Sequence, residues 1–427
     1  MKFARRDFLK KAGLATTMGM FHGIVSCKDN SAPQKASMYN GPEASAEDIR
    51  ANFELDPEYI HMAGMLLASH PKSVKKSIEK YREALNRNPA KYILENKDSL
   101  FTLVSESAAK YMEVKPEEIA LTDSTTMGTA LLINGLHIRT DQEMLTADYD
   151  YYSTHRSIDF KVRSSGASSR EIAIYGDIHK VSEEEIIDKV IREIKPSTRL
   201  VTGTWVHSAT GLKIPVKKIA EHIAAINANR SNEDRVLFFV DGVHGFGVEN
   251  QSVGDLGCDF FSAGTHKWMY GPRGTGVLWG NSRVHGEVSP TIPTFTYGTG
   301  WGGEMTPGGY KPFEHQWTVA NAFHFHMKMG KEYVQDHIHS LARQLKESLA
   351  KMSHITLLTP MEENLSSGIV CFSVNGMTPE AVVNKLTEKK IIASKTPYRP
   401  SYPRLSPGIY NTSDEMEKVL RAIRTLG

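Results

Sequence analysis

The chain is poor in cysteine: three in 427 residues, at Cys27, Cys258 and Cys371. That number builds no disulfide framework. Cys258 and Cys371 sit inside the apolar runs Cys-Asp-Phe-Phe and Ile-Val-Cys-Phe, and read as small buried core residues. Charge of one sign is also lacking. Lys and Arg total 51 against 49 Asp and Glu, a formal net charge of +2, so nothing in the balance calls for nucleic acid. No apolar run has the length of a membrane-spanning helix; the stretch from Ala12 to Val25 is too short and too polar. Internal repeats and long low-complexity tracts are missing as well. What is present is a 40% hydrophobic content, enough for a sizeable core, and a length that fits two domains or one large one with an appendage.

The first 27 residues form a unit of their own. Ala4-Arg5-Arg6-Asp7-Phe8-Leu9-Lys10 resembles a twin-arginine export motif, and Ile24-Val25-Ser26-Cys27 resembles a bacterial lipoprotein box. Cys27 stands where the apolar segment stops and Lys28-Asp29-Asn30 begins. The expectation is export by the twin-arginine route to a periplasmic or membrane-anchored location, with a lipid anchor on Cys27. Firm anchoring takes more than one acyl chain. Residues 28–50 are polar, with Pro33, Gly41 and Pro42, and read as a linker.

After the linker, helical and strand patterns alternate. Helices are expected at Lys72–Asn88, Asp98–Met112, Thr126–Ile138, Ser182–Ile194 and Val216–Asn227. Strands are expected near Glu143–Thr146, Glu171–Ala173, Arg199–Trp205, Val236–Asp241, Asp259–Ser262 and Gly276–Trp279. Such alternation predicts a mostly parallel sheet covered on both faces. The run Val-Leu-Phe-Phe-Val before Asp241 is apolar at every position, as a central strand of that sheet is. Gly and Pro gather around 307–312, and one long helix is expected from about Val319 to Lys351. The remainder reads as a small strand–helix module with elements at Ile369–Val374, Pro379–Lys389 and Ser413–Thr425. The expected organisation is therefore a large domain over 51–310, its first part packing on the small domain, and a connecting helix with a small C-terminal domain over 311–427.

Two apolar runs end in chemistry. One finishes in Asp241-Gly-Val-His244; the other passes through Ser262-Ala-Gly-Thr265-His266-Lys267. Ligands of open parallel sheets gather at the carboxyl ends of the strands. An amine and an acid at two such ends are what pyridoxal 5'-phosphate requires. The amine condenses with its aldehyde, and the acid keeps its ring nitrogen protonated. Alone, Asp241 reads as a strand-end cap and Lys267 as a loop lysine. The apolar, turn-like flank Trp268-Met-Tyr-Gly-Pro272 argues for burial of the lysine, which lowers its pKa. Ser262, Thr265 and His266 are candidate phosphate partners, although His266 alone reads equally as a core histidine. Ser124-Thr125-Thr126 opens an apolar helix, and a helix N-terminus suits a phosphate. An ordinary N-cap would look the same, and the two roles are compatible.

The order of a Thr-Thr helix start, an aromatic after a strand, Asp-x-x-His and then His-Lys resembles the class V aminotransferase family, which includes cysteine desulfurases and isopenicillin N epimerase-like enzymes. The resemblance spans about residue 55 to the end, and is strongest over Val236–Gly276 and Arg404–Thr412. It implies an α/β fold of the fold-type-I pyridoxal-phosphate transferases: a large, mostly parallel sheet domain with a small α+β C-terminal domain, in a homodimer. It implies cofactor contacts from Thr125, Thr126, Tyr151, Ser208, Asp241, His244, Ser262, Thr265, His266, Lys267 and Thr299. Lys267 would carry the cofactor, Asp241 would face the pyridine nitrogen and His244 its phenolic oxygen; these three form the catalytic set. Tyr151 would stack on the ring, with Tyr152 as the alternative register. Ser208, or His207 beside it, would approach the cofactor hydroxyl. Thr299, in the Gly-rich loop 298–303, would reach the partner subunit's phosphate. Arg404 would bind the substrate carboxylate with two parallel bonds.

One departure from the resemblance narrows the chemistry. Desulfurases carry a reactive Cys on the loop ahead of that Arg; here Ser394–Pro400 has none. The expectation is an enzyme acting at the Cα of a small amino acid, by transamination or epimerisation. A carbon–sulfur or carbon–selenium lyase is the alternative, and a lipid-anchored binding protein without turnover is the alternative of another class.

Overall fold

The computed structural model describes residues 46–427; Arg5, Arg6 and Cys27 lie outside them. A seven-stranded sheet forms the centre. Its strands in chain order are β1 (Ile119–Thr122), β2 (Glu143–Ala147), β3 (Ser168–Ile172), β4 (Thr198–Thr204), β5 (Leu237–Asp241), β6 (Phe260–Gly264) and β7 (Gly276–Gly280). Their spatial order is β1-β7-β6-β5-β4-β2-β3. Only β7 runs against its neighbours.

Side chains alternate across a strand, and both faces of this sheet are covered. Phe238 and Val240 of β5 enter one core with Tyr111, Trp205, Phe246 and Phe323. Leu237 and Phe239 enter the opposite core with Leu131, Leu132 and Ile158. Helices α1 (Lys72–Arg87), α2 (Pro89–Met112), α3 (Thr125–Gly135), α4 (Tyr152–Ser165), α5 (Glu183–Arg192) and α6 (Val216–Asn227) precede or connect the strands. The crossover helices are what carry the chain between parallel neighbours.

The expected single helix over Val319–Lys351 is two helices, α7 (Phe313–Met329) and α8 (Lys331–Leu349). Gly330 separates them with φ 84 and ψ 135, a conformation essentially confined to glycine. The apolar periodicity continues through the break, so pattern alone joins the two. The strand expected at Glu171–Ala173 lies at Ser168–Ile172, and α2 starts at Pro89, well before Asp98.

Beyond α8 a four-stranded sheet forms from β8 (Ile355–Leu357), β9 (Val370–Val374), β10 (Ser394–Lys395) and β11 (Pro403–Leu405), in the order β10-β11-β9-β8. With α9 (Pro379–Glu388) and α10 (Ser413–Arg424) it closes a separate core of Leu341, Leu345, Val370, Phe372, Leu386 and Leu420. Ile60–His61 pairs in parallel with Ile391–Ile392, tying the segment before α1 to this module. The loop of the β10–β11 hairpin reaches back to the carboxyl ends of the large sheet, where Pro397 and Tyr398 share a cavity with Asp241.

Candidate active site

That cavity, of about 440 Å³, is within the size range of small-ligand sites. Asp241 ends β5 and forms its floor. Its Oδ1 accepts the N–H of Val243 at 3.1 Å. Burial raises its pKa to about 6, against the pull of that N–H and of Lys267. A buried carboxylate with so little compensation is suited to a cationic partner inside the cavity. Lys267 lines the same space two residues after the Gly264–Thr265 turn. Burial lowers its pKa to about 8, with Asp241 acting in the opposite direction, so a neutral amine is accessible near neutrality.

His244 is fixed by its neighbour. The indole N–H of Trp268 donates to His244 Nδ1 at 3.3 Å. Burial holds the ring well below its usual pKa, so it is neutral and its proton sits on Nε2. A neutral N–H on the cavity wall fits an anionic oxygen.

The α3 N-terminus supplies an anion site. Ser124 caps the helix by accepting Met127 N–H at 3.1 Å, and Ser124, Thr125 and Thr126 all line the cavity, so the helix start with its first-turn N–H groups borders it. Thr125 Oγ1 accepts Gly264 N–H at 2.7 Å, which ties the helix start to the end of β6. Gly128 makes that approach feasible, since a Cβ there would lie 2.2 Å from Ser262 Oγ.

Arg404 is oriented by two bonds. Its Nε donates to Ser394 Oγ at 2.9 Å and its Nη1 to the Ser208 carbonyl at 2.8 Å. The guanidinium is buried and lines the cavity with no carboxylate partner among the described residues. That is the condition for receiving an incoming carboxylate.

Most of the residues expected from sequence meet here: Thr125, Thr126, Tyr151, Ser208, Asp241, His244, His266, Lys267 and Arg404 all line one cavity. Tyr151 faces in, whereas Tyr152 is 59% exposed. Ser262, Thr265 and Thr299 do not line it. Ser262 Oγ bonds the carbonyls of Thr125 and Val277 behind the helix start. Thr265 Oγ1 pairs with Thr275 Oγ1. Thr299 is exposed and bonds the carbonyl of Thr296, within its own chain. His207 lies fully buried away from the cavity, with neither ring nitrogen hydrogen-bonded among the described residues.

Sequence reading missed two contributors. Asp150 accepts from the hydroxyls of Thr146, Thr202 and Thr204 and from Ala147 N–H, and so fastens the turn that presents Tyr151. Tyr398 lines the cavity from the β10–β11 loop, its hydroxyl 2.9 Å from Ser208 Oγ and its ring 6.4 Å from that of Tyr151. The signal for Tyr398 was its place in the loop that leads to Arg404.

The donor set, an amine, a buried acid, a neutral imidazole N–H, a free helix N-terminus and an open guanidinium, matches what pyridoxal phosphate and an amino acid require together. The architecture is that of the fold-type-I enzymes. The profile of the aminotransferase class-V family matches residues 67–419, and the chain belongs to that family. Isopenicillin N epimerase of Streptomyces clavuligerus is 24% identical over 402 residues, covering 90% of this chain and 98% of its own. Human selenocysteine lyase is 25% identical over 343 residues, 72% of each chain. Among solved structures, a lysine-to-alanine mutant of C-DES with glycine covalently linked to its PLP cofactor superposes with a TM-score of 0.79 at 21% identity, covering 88% of this chain and 99% of that one.

Proposed function

We propose that this protein is a pyridoxal-phosphate enzyme that acts at the Cα of an α-amino acid, by transamination or epimerisation. The observation that carries the reading is the convergence of Lys267, Asp241, His244 and Arg404 on one cavity. The cofactor, when bound, supplies an electron sink for the pair left at Cα. The side chains do the rest. Arg404 would hold the substrate carboxylate, and the α3 N-terminus with His266 would hold the phosphate. Asp241 would set the charge at the cofactor's ring nitrogen, and His244 would donate to its phenolic oxygen. Lys267 would hold the cofactor through its amine, and its Nζ, neutral when free, would take the Cα proton. Amino-acid profiling of the purified protein tests this: a keto acid or an inverted enantiomer is expected.

A second reading, a carbon–sulfur or carbon–selenium lyase, is favoured by the likeness to selenocysteine lyase and to C-DES, described as a cystine C-S lyase. No cysteine among the described residues lines the cavity, and burial pushes the thiols of Cys258 and Cys371 up, the latter to about 12. A persulfide carried on the enzyme is therefore disfavoured, while elimination from cystine needs no such thiol. Release of sulfide, selenide or cysteine persulfide, with pyruvate and ammonia or alanine as the carbon product and neither the substrate's own keto acid nor its enantiomer, would select this reading. Cofactor binding with no turnover of any kind would select a binding role.

We further propose that the protein acts as a homodimer. The exposed aromatics Phe295, Tyr297 and Tyr310, 64%, 82% and 78% accessible, flank the Thr299 loop and support that reading. We also propose that it is exported folded and anchored through Cys27, supported by the twin-arginine and lipobox residues. Protein found only in the cytosol with Met1–Cys27 retained would sink the export proposal.

A further inference from the structure

The cavity has two unlike side walls. Lys267 follows β6 and Tyr151 follows β2, while β5 with Asp241 and β4 lie between them. At about 4.8 Å per strand, β6 and β2 stand about 14 Å apart. The amine therefore approaches from one side of the Asp241 floor and the aromatic wall from the other.

Tyr398 belongs to the aromatic wall. Its ring meets Tyr151 edge to face at 6.4 Å. Its hydroxyl is 2.9 Å from Ser208 Oγ, and the carbonyl of the same Ser208 accepts Arg404 Nη1 at 2.8 Å. The phenol thus lies one residue away from the group that holds the substrate carboxylate, and Cα is one bond from that carboxylate. The loop that delivers it is fastened to itself: Thr396 N–H donates to the Tyr402 carbonyl at 2.8 Å, Tyr402 N–H to Thr396 Oγ1 at 3.0 Å, and Ser401 Oγ to the Thr396 carbonyl at 2.7 Å. A phenol held by its own loop and by a crossing bond to the large domain has a fixed position over the cavity.

We propose that Tyr398 is a proton donor to Cα from the wall opposite Lys267, which makes the site two-sided and directs it to epimerisation. The proposal rests on the reading of Lys267 as the base. In the step, Lys267 Nζ takes the Cα proton and the electron pair of that C–H bond stays with the substrate. The Tyr398 O–H bond then breaks, its proton joins Cα on the opposite side, and the phenolate remains beside the Ser208 hydroxyl. The ammonium of Lys267 returns one proton to solvent and the phenolate takes one back, so no other reactant is needed. Burial holds the phenol above its usual pKa, which keeps it protonated at rest.

Glycine separates a one-sided from a two-sided site, because its two Cα hydrogens face opposite walls. The cofactor-loaded full chain is incubated with glycine in D₂O and followed by proton NMR, with borohydride reduction of a parallel sample. Wild type is expected to replace both hydrogens. Tyr398→Phe is expected to replace the first at the wild-type rate and to slow the second by about 100-fold, the scale of a lost general acid. The preserved first exchange shows that the variant is folded. Wild type stopping at one deuterium overturns the proposal, as does a Tyr398→Phe variant that still replaces both. If borohydride fixes the cofactor on Lys267 but no exchange occurs, the proton-transfer proposal fails while the cofactor site stands. If nothing is fixed, the underlying reading fails too.

Discussion

Asp241 concentrates the physics of the site in one residue. Folding without the cofactor holds its carboxyl at a raised pKa, about 6 against 3.8 in the unfolded chain. The folded state therefore binds more protons than the unfolded state between those values, and stability falls as pH rises through that window. The penalty is fully present above about pH 6 and disappears on acidification. Asp241→Asn is expected to stabilise the cofactor-free protein by about 3 kcal/mol at pH 7. The gain should shrink toward pH 4 in denaturant titrations, while the variant loses turnover. A gain that is equal at both pH values would mean that the carboxylate is already neutralised. Arg404 makes the complementary case. Arg404→Lys keeps the charge but loses the fork, and an increase in KM of about 10–100-fold with a smaller change in kcat is expected. Both residues were legible in sequence, since each ends an apolar run or opens a recognisable segment. Ser262 and Thr265 were legible as polar but not as supports, because which way a strand-end hydroxyl turns is decided by its neighbours in space. Those are Thr125 and Val277 for one and Thr275 for the other.

At the scale of elements, periodicity located β2, β4, β5, β6 and β7 to within a residue or two, because each is buried along its whole length and built around a short apolar run. It missed β1, Ile-Ala-Leu-Thr, four residues long and without flanking contrast, and the helix α4, whose mixed Tyr-Ser-Thr-His start lacks an apolar stripe. It also ran through Gly330, since the apolar spacing of α7 continues into α8 and only the backbone angle marks the break. That angle predicts a measurable cost. No atom lies within 4 Å of a Cβ placed on Gly330, so Gly330→Ala introduces strain without a clash. A loss of about 1–3 kcal/mol in stability is expected by thermal or chemical melting, with cofactor affinity unchanged. Loss of cofactor binding in that variant would show that the α7–α8 joint positions the site rather than only the chain. The β10–β11 loop is the element that sequence conveyed least. Its meaning lies in a bond between Tyr398 and Ser208, 190 residues away.

At the scale of the whole molecule, the division of labour is between a large sheet that presents Lys267, Asp241 and the α3 terminus, and a small module that brings Arg404 and Tyr398 over them. Thr299 and the aromatics around it are left facing outward by a single chain. The homodimer proposal predicts a solution mass of two chains by light scattering. It predicts that Phe295→Glu with Tyr310→Glu shifts the protein toward the monomer and lowers cofactor affinity. A wild type that is monomeric and fully active would contradict it. Every role assigned to the cavity depends on one narrower claim: a single amine, on Lys267, carries the cofactor. Borohydride reduction of the pyridoxal-phosphate-loaded protein, followed by peptide mass mapping, tests it directly. A single adduct is predicted on the peptide containing Lys267, absent in Lys267→Ala. An adduct on another lysine, or persistence of the reducible colour in Lys267→Ala, would contradict it.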